Sequence, residues 1–203
     1  MARYTGPKNR LARKIGQDLE LKTKVVKLDR RLQIPPGQHG PKGRSRKISD
    51  FGIQLAEKQK VKYTYGVLEK QFRRYFEKAA KDPKATGVKL LQLLELRLDN
   101  LLYRLSFAPT RAAARQFVTH GHVLVNGKKN SIPSYQVRIG DIITITEKIA
   151  QNPVVKELSQ NKNAKIPAWI ERKALVGKII REPEREEIDA GINEQLIVEY
   201  YSR

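Results

Sequence analysis

No stretch of the chain constrains its fold as tightly as VKLLQLLELRLDNLLYRL, which follows Thr86-Gly87. Leu90, Leu94, Leu98, Leu101 and Leu105 recur at three- and four-residue spacing, so a helix running through this stretch presents a face of leucine. Such a face is stable only when buried, and the predicted helix therefore belongs to a core. Ala108-Pro109 ends it. Thr110 then stands where a hydroxyl can accept a free backbone N–H of the next helix.

That next helix opens TRAAARQFVTHGHVLVNGKK. Ala113, Ala114, Phe117 and Val118 are expected to face the core, with Arg111, Arg115 and Thr119 outside at four-residue spacing. Gly121 suits a left-handed helix end, HVLVN reads as a strand, and Asn126-Gly127 is a strong hairpin signal. IPSYQV and DIITIT supply two more extended segments. The predicted order is helix, helix, small sheet.

Upstream, VLEKQFRRYFEKAAK places Leu68, Phe72, Tyr75, Phe76 and Ala79 on one helical face. A second stripe, Glu69, Arg73 and Glu77, pairs with itself; a third, Lys70, Arg74, Lys78 and Lys81, has little compensation. Asp82-Pro83 breaks this helix. Residues 1–48 lack a periodic apolar face, and IPPGQHGPKGRSRK forbids regular structure, so they read as an extended arm. After Ala150 the chain suggests a short helix in VVKELSQ, a loop, and a final strand or extended segment in NEQLIVEYY.

Charge decides the class of partner. Lys and Arg total 41 against 21 Asp and Glu, a formal net of +20, which implies a polyanion. Residues 1–50 carry 14 basic and 4 acidic groups, residues 51–150 carry 18 and 8, and residues 151–203 carry 9 of each. The polyanion should lie against the first three quarters of the chain. Without a long apolar run, signal peptide or lipidation motif, no membrane role is expected. The absence of cysteine excludes disulfides and thiolate chemistry, and fits a cytoplasmic protein.

No phosphate-binding loop, dinucleotide fingerprint, zinc-protease helix or nucleophile elbow occurs. The reading from a different class is an RNA-modifying enzyme. Arg97-Leu98-Asp99 matches part of the Gly-Arg-Leu-Asp motif of pseudouridine synthases, with Leu96 where they have glycine. Placed mid-helix, Asp99 would pair with nearby basic residues and Arg97 would lie at a surface or interface. The Arg111–Lys129 segment instead offers arginine forks, imidazoles, an asparagine, a helix N-terminus and glycine turns, with no carboxylate. Such a donor array suits a phosphate backbone, and folded RNA read by shape fits better than a DNA groove.

Several segments, in order from the first residue to the last, closely resemble the family of bacterial small-subunit ribosomal protein four. They are MARYTGPKNRLARK, PPGQHGPKGR, YGVLEKQFRRYF, LLELRLDNLLYRL, TRAAARQFVTHGHVLVNGKK, IPSYQVRIGD and NEQLIVEYYSR. The resemblance implies an α+β fold: a mainly helical N-terminal domain with an extended basic arm, plus a small helix-helix-sheet RNA-binding module. The expected division is arm 1–48, helical domain 49–92 completed by 180–203, and module 93–179 with its core at 99–146.

It further implies a structural constituent of the small ribosomal subunit, monomeric within it. Such a protein binds 16S ribosomal RNA at a five-way junction of the 5′ domain and nucleates assembly. Small-subunit proteins five and three are expected neighbours, near the mRNA entry channel and at an interface linked to decoding accuracy, with mRNA a further candidate partner. Many relatives hold zinc through cysteines where this chain has Asn9 and Ala12, so the arm is expected to be metal-free and held by RNA contacts alone. No catalytic residue, cofactor or metal ligand is expected. The expected RNA contacts in the arm are Arg3, Tyr4, Lys8, Arg10, Arg13, His39, Arg44, Arg46 and Lys47. In the helical domain they are Lys58, Lys60, Lys70 and Arg74. In the module they are Thr110, Arg111, Arg115, His120, His122, Asn126 and Lys128.

Overall fold

The computed structural model describes residues 3–22, 28–40, 48–83, 85–160, 166–189 and 191–202. In chain order the helices and strands are α1 (Lys8–Ile15), α2 (Leu28–Leu32), α3 (Asp50–Thr64), α4 (Glu69–Ala79), α5 (Thr86–Glu95), α6 (Leu98–Arg104), α7 (Arg111–Thr119), β1 (Val123–Val125), β2 (Lys128–Lys129), β3 (Ile142–Ile145), α8 (Glu147–Ala150), α9 (Pro153–Gln160), β4 (Ile170–Lys173), β5 (Val176–Ile179) and α10 (Glu194–Tyr201). They form two compact units, residues 1–87 with 191–203, and residues 88–190. The first is helical and the second mixed, an α+β chain.

All five stripe leucines are fully buried, but they divide between α5 and α6 with its C-cap Leu105 rather than lying on one helix. The helix breaks at Leu96-Arg97, where Arg97 takes an extended conformation (φ −72°, ψ 139°). The IPSYQV segment crosses this break. Leu98 and Asp99 N–H groups, orphaned at the start of α6, donate to the carbonyls of Tyr135 (3.0 Å) and Pro133 (3.2 Å), and Val137 N–H donates to Leu96 O at 3.0 Å. Of IPSYQV only Gln136 pairs in strand fashion, with Arg97. Arg97 is thus not a surface residue. It is fully buried and forks onto Asp99 at 3.0 and 2.6 Å.

The sheet is antiparallel throughout, in the order β2-β1-β3-β5-β4. Asn126 (φ 51°) and Gly127 (φ 77°) form the predicted tight turn between β1 and β2. The β4–β5 hairpin was not expected from the sequence. Its inner positions Ile170 and Ile179 join Leu98, Leu101, Phe107, Val118, Val123, Ile143 and Trp169 in one core. Gly177 is required there, because a Cβ would collide with the Leu105 side chain.

In the helical unit the basic arm is not wholly extended. KNRLARKI forms α1, which ends on a left-handed Gly16 (φ 78°) and buries Ala12. It packs against α2 and α3. Arg13 reaches across to donate from Nε to Ile34 O and from Nη2 to Pro35 O, both at 3.0 Å. The arm is therefore not left to external contacts alone, as was expected: Arg13 ties α1 to the chain just beyond α2.

NEQLIVEYY is a helix, not a strand. Asn193 caps it, accepting the Gln195 N–H at 3.1 Å, and Ile197 is fully buried. This α10 lies along α3. Gln54 Nε2 donates to Glu199 at 3.0 Å, and Glu57 accepts the Asn193 N–H at 2.8 Å. Phe76 and Phe72 stack on Tyr201 at 4.5 and 6.2 Å. Burying Phe72 and Ile197 fully contributes roughly 1.5–3 kcal/mol each.

Candidate nucleic-acid interface

The α7-to-hairpin segment begins with the Thr110 hydroxyl accepting the Ala113 N–H at 3.2 Å, so this side chain starts the helix. Ala114 and Val118 are buried, with Ala113 and Phe117 packed against the core. Arg111 is half-buried. Its Nε donates to Asn100 Oδ1 at 2.8 Å, and its guanidinium lies 4.5 Å from the Tyr103 ring centroid.

Arg115 departs from expectation. It is 7% exposed, because α7 turns this position inward beside Ala114. Asn126 is exposed, yet both ends of its amide serve the fold. Its Nδ2 donates to Asp141 at 2.8 Å, and its Oδ1 accepts the Ile142 N–H at 2.9 Å. Lys128 is exposed on β2.

The two histidines sit 6.2 Å apart between α7 and β1, with His120 exposed and His122 half-buried. Sequence reading passed over two of their neighbours. The Lys129 side chain lies so close across Gly121 (φ 71°) that any Cβ there would collide with it. Lys148 follows from the end of β3, where Thr146 N–H bonds His122 O. Burial first, then His120, Lys148 and Lys129, push the His122 pKa below its usual value. Four cationic or cationisable groups thus converge on one turn, a geometry that favours an anion.

In the helical unit, Arg3, Tyr4, Arg10 and His39 are exposed. Lys8 is half-buried, and its pKa is pushed down by burial and then by Arg3 and Lys22. These three cations crowd one another, so a phosphate among them would relieve repulsion. Lys70 and Arg74 project from α4 into solvent, while Arg73 pairs with Glu77 at 3.2 Å, as the stripes predicted. Arg44, Arg46 and Lys47 lie outside the described residues.

Lys58 and Lys60 are corrections. Lys58 is 3% exposed, donates to Glu69 at 2.8 Å and lies 4.3 Å from the Tyr200 ring centroid. Lys60 is 7% exposed and bonds the Gly191 carbonyl, with Glu57 at 3.5 Å. Both ammonium groups hold the C-terminal segment against α3. Glu69 also accepts from Lys62 at 3.0 Å and from the Tyr201 hydroxyl at 2.8 Å. Although burial raises its pKa, these donors outweigh it and bring the carboxyl down to about 2. Its own burial, and then the same bond, raise the Tyr201 phenol.

Asp99 is not placed for chemistry. It is 4% exposed, its oxygens hold Arg97, and one also accepts the Asn100 N–H at 3.0 Å. An aspartate nucleophile needs an open approach, and this carboxylate is enclosed.

The fold and this surface define a two-part nucleic-acid-binding protein, a helical unit followed by a helix-helix-sheet unit. Residues 3–95 match the family described as "Ribosomal protein S4/S9 N-terminal domain", and residues 96–143 match the "S4 domain". Three relatives bear the name "Small ribosomal subunit protein uS4". Those of Akkermansia muciniphila and Parabacteroides distasonis are each 52% identical to this chain, and that of Roseiflexus castenholzii is 50% identical, all over the whole of both chains. The chain belongs to the uS4 family of small ribosomal subunit proteins.

Proposed function

We propose that the chain is a structural protein of the small ribosomal subunit that binds 16S ribosomal RNA directly. The observation that carries this reading is the α7-to-β2 surface. His120, His122, Lys129 and Lys148 converge there, Arg111 opens the same helix and Lys128 is exposed on β2, within a family whose members are named as small-subunit proteins. Arg3, Tyr4, Lys8, Arg10, His39, Lys70 and Arg74 add contacts from the helical unit, and Arg44, Arg46 and Lys47 extend them along the arm. The enclosed Asp99 favours this reading over RNA modification. Among the described residues no helix is long and apolar enough to cross a membrane.

The finer reading follows the family resemblance. The RNA site is a multi-helix junction of the 5′ domain, and binding there nucleates assembly. The seated protein neighbours small-subunit proteins five and three near the mRNA entry channel, where it influences accuracy. Reconstitution tests it. The full chain should bind a 5′-domain transcript before other small-subunit proteins are added, and its omission should stall later additions. Binding that requires those proteins first would refute the nucleating role.

A further inference from the structure

The buried polar groups between α5 and α6 lead outward to Arg111. Arg104 donates to both oxygens of Glu95, at 2.9 and 2.6 Å, and Glu95 is 1% exposed. The same carboxylate accepts Asn100 Nδ2 at 2.7 Å, and the Glu95 carbonyl accepts that group at 3.0 Å. With its donor end held by two acceptors, the Asn100 amide can point only one way, oxygen outward. That oxygen receives Arg111 Nε at 2.8 Å, while the guanidinium lies over the Tyr103 ring, 4.5 Å from its centroid. Arg104 offsets the Glu95 charge, so what passes along the chain of bonds is orientation.

We propose that Asn100 is a positioning residue for RNA binding, holding the Arg111 guanidinium in the pose that receives a backbone phosphate. This rests on the reading that the α7 surface binds RNA. An arginine free to rotate loses side-chain freedom on binding, which weakens affinity by roughly two- to ten-fold. One whose Nε–H is already bonded and whose guanidinium lies over an aromatic ring meets phosphate with less freedom to lose. The bond network is thus a reason for a buried asparagine at this position beyond filling the helix break.

The test is equilibrium binding of the full chain to a 5′-domain transcript of the small-subunit RNA across a KCl series. Arg111→Ala should weaken binding and flatten the dependence of log affinity on log salt by up to about one unit. Asn100→Ala should weaken binding roughly two- to ten-fold at every salt with the slope unchanged, and should have no further effect in an Arg111→Ala background. Tyr103→Leu removes the ring beside the guanidinium and should behave like Asn100→Ala, so it carries the test if Asn100→Ala fails to fold. In the free protein, the Arg111 Nε–H resonance should lose its protection in Asn100→Ala. An Asn100 or Tyr103 effect of the same size with and without Arg111 would overturn the inference, as would a folded Asn100→Ala that binds like wild type. Wild-type binding by Arg111→Ala would overturn the reading of the surface as well.

Discussion

In residues 88–190 the buried Arg97 and its carboxylate sit two positions apart, whereas in residues 1–87 with 191–203 the buried lysines Lys58 and Lys60 also reach groups far along the chain. Arg97 meets Asp99 inside a continuous apolar core. Lys60 meets the Gly191 carbonyl, and Lys58 meets Glu69 and Tyr200. The mixed unit can assemble this charged pair locally. The helical unit needs its C-terminal helix in place before its buried charges are satisfied, because an unpaired buried ammonium is costly. Inward cations therefore specify structure in both units, and the outward ones are left for a polyanion.

The sharpest way to break this comparison is at Arg97. Asp99→Ala or Arg97→Ala strands one buried charge and should destabilise residues 88–190 by about 3–5 kcal/mol. Chemical denaturation monitored at Trp169, which lies in that core, would register it. Equal loss in the helical unit would show that the units do not fold separately.

Acid should act on the other unit. Because the Glu69 pKa is lowered to about 2, its contribution to stability is complete above the unfolded value near 4.5 and fades as pH falls towards 2. Glu69 is partly exposed, so solvent screening keeps the effect modest, on the order of 1 kcal/mol. Glu69→Gln should flatten the acid limb of the unfolding-midpoint profile, and an unchanged limb would mean that other carboxylates govern it.

A smaller effect is expected at Arg13, whose bonds to Ile34 and Pro35 are exposed. Arg13→Ala should cost no more than about 1 kcal/mol, confined to the arm. Hydrogen exchange should speed up at the amides of α1 while those of α3 keep their protection. Acceleration across α3 too would show that the arm and the helical unit are one cooperative body.

These contrasts also mark what was legible in the sequence. The leucine positions were readable because 90, 94, 98, 101 and 105 keep helical spacing, yet that spacing concealed the break. It is dictated by backbone acceptors at 133–135, which no local pattern reveals. The β4–β5 hairpin was hidden because Ala174 (φ 51°) occupies the left-handed turn position where glycine or asparagine would have signalled it. LIVEYY, rich in β-branched and aromatic residues, reads as strand by propensity, but α3 gives it a helical seat.

In the candidate site, the α7 cap, the Asn-Gly turn and the exposed Lys128 were readable locally. Lys58, Lys60 and Arg115 were not. Exposed and buried cations look alike in sequence, and the partners of Lys60 lie as far away as residue 191.

The subtlest effect expected is proton linkage at His122. Its pKa is held down by burial and neighbouring cations, and an RNA phosphate seated there would raise it. Binding should then take up protons, and affinity should rise as pH falls from about 7 towards 6, by no more than a few-fold. Calorimetry in buffers of differing ionisation enthalpy would detect the uptake, and His122→Asn should abolish it. Uptake that survives in His122→Asn would place the titrating group elsewhere.

The division between outward cations that bind and inward cations that fold is tested most directly by one salt titration on two variants. Binding of the 5′-domain transcript is measured across a KCl series for Lys128→Ala and Lys58→Met. Lys128→Ala should lower affinity and flatten the slope by up to about one unit, with the unfolding midpoint unchanged. Lys58→Met should lower the midpoint and, measured well below it, leave the slope as in wild type. A flattened slope for Lys58→Met with an unchanged slope for Lys128→Ala would contradict the account.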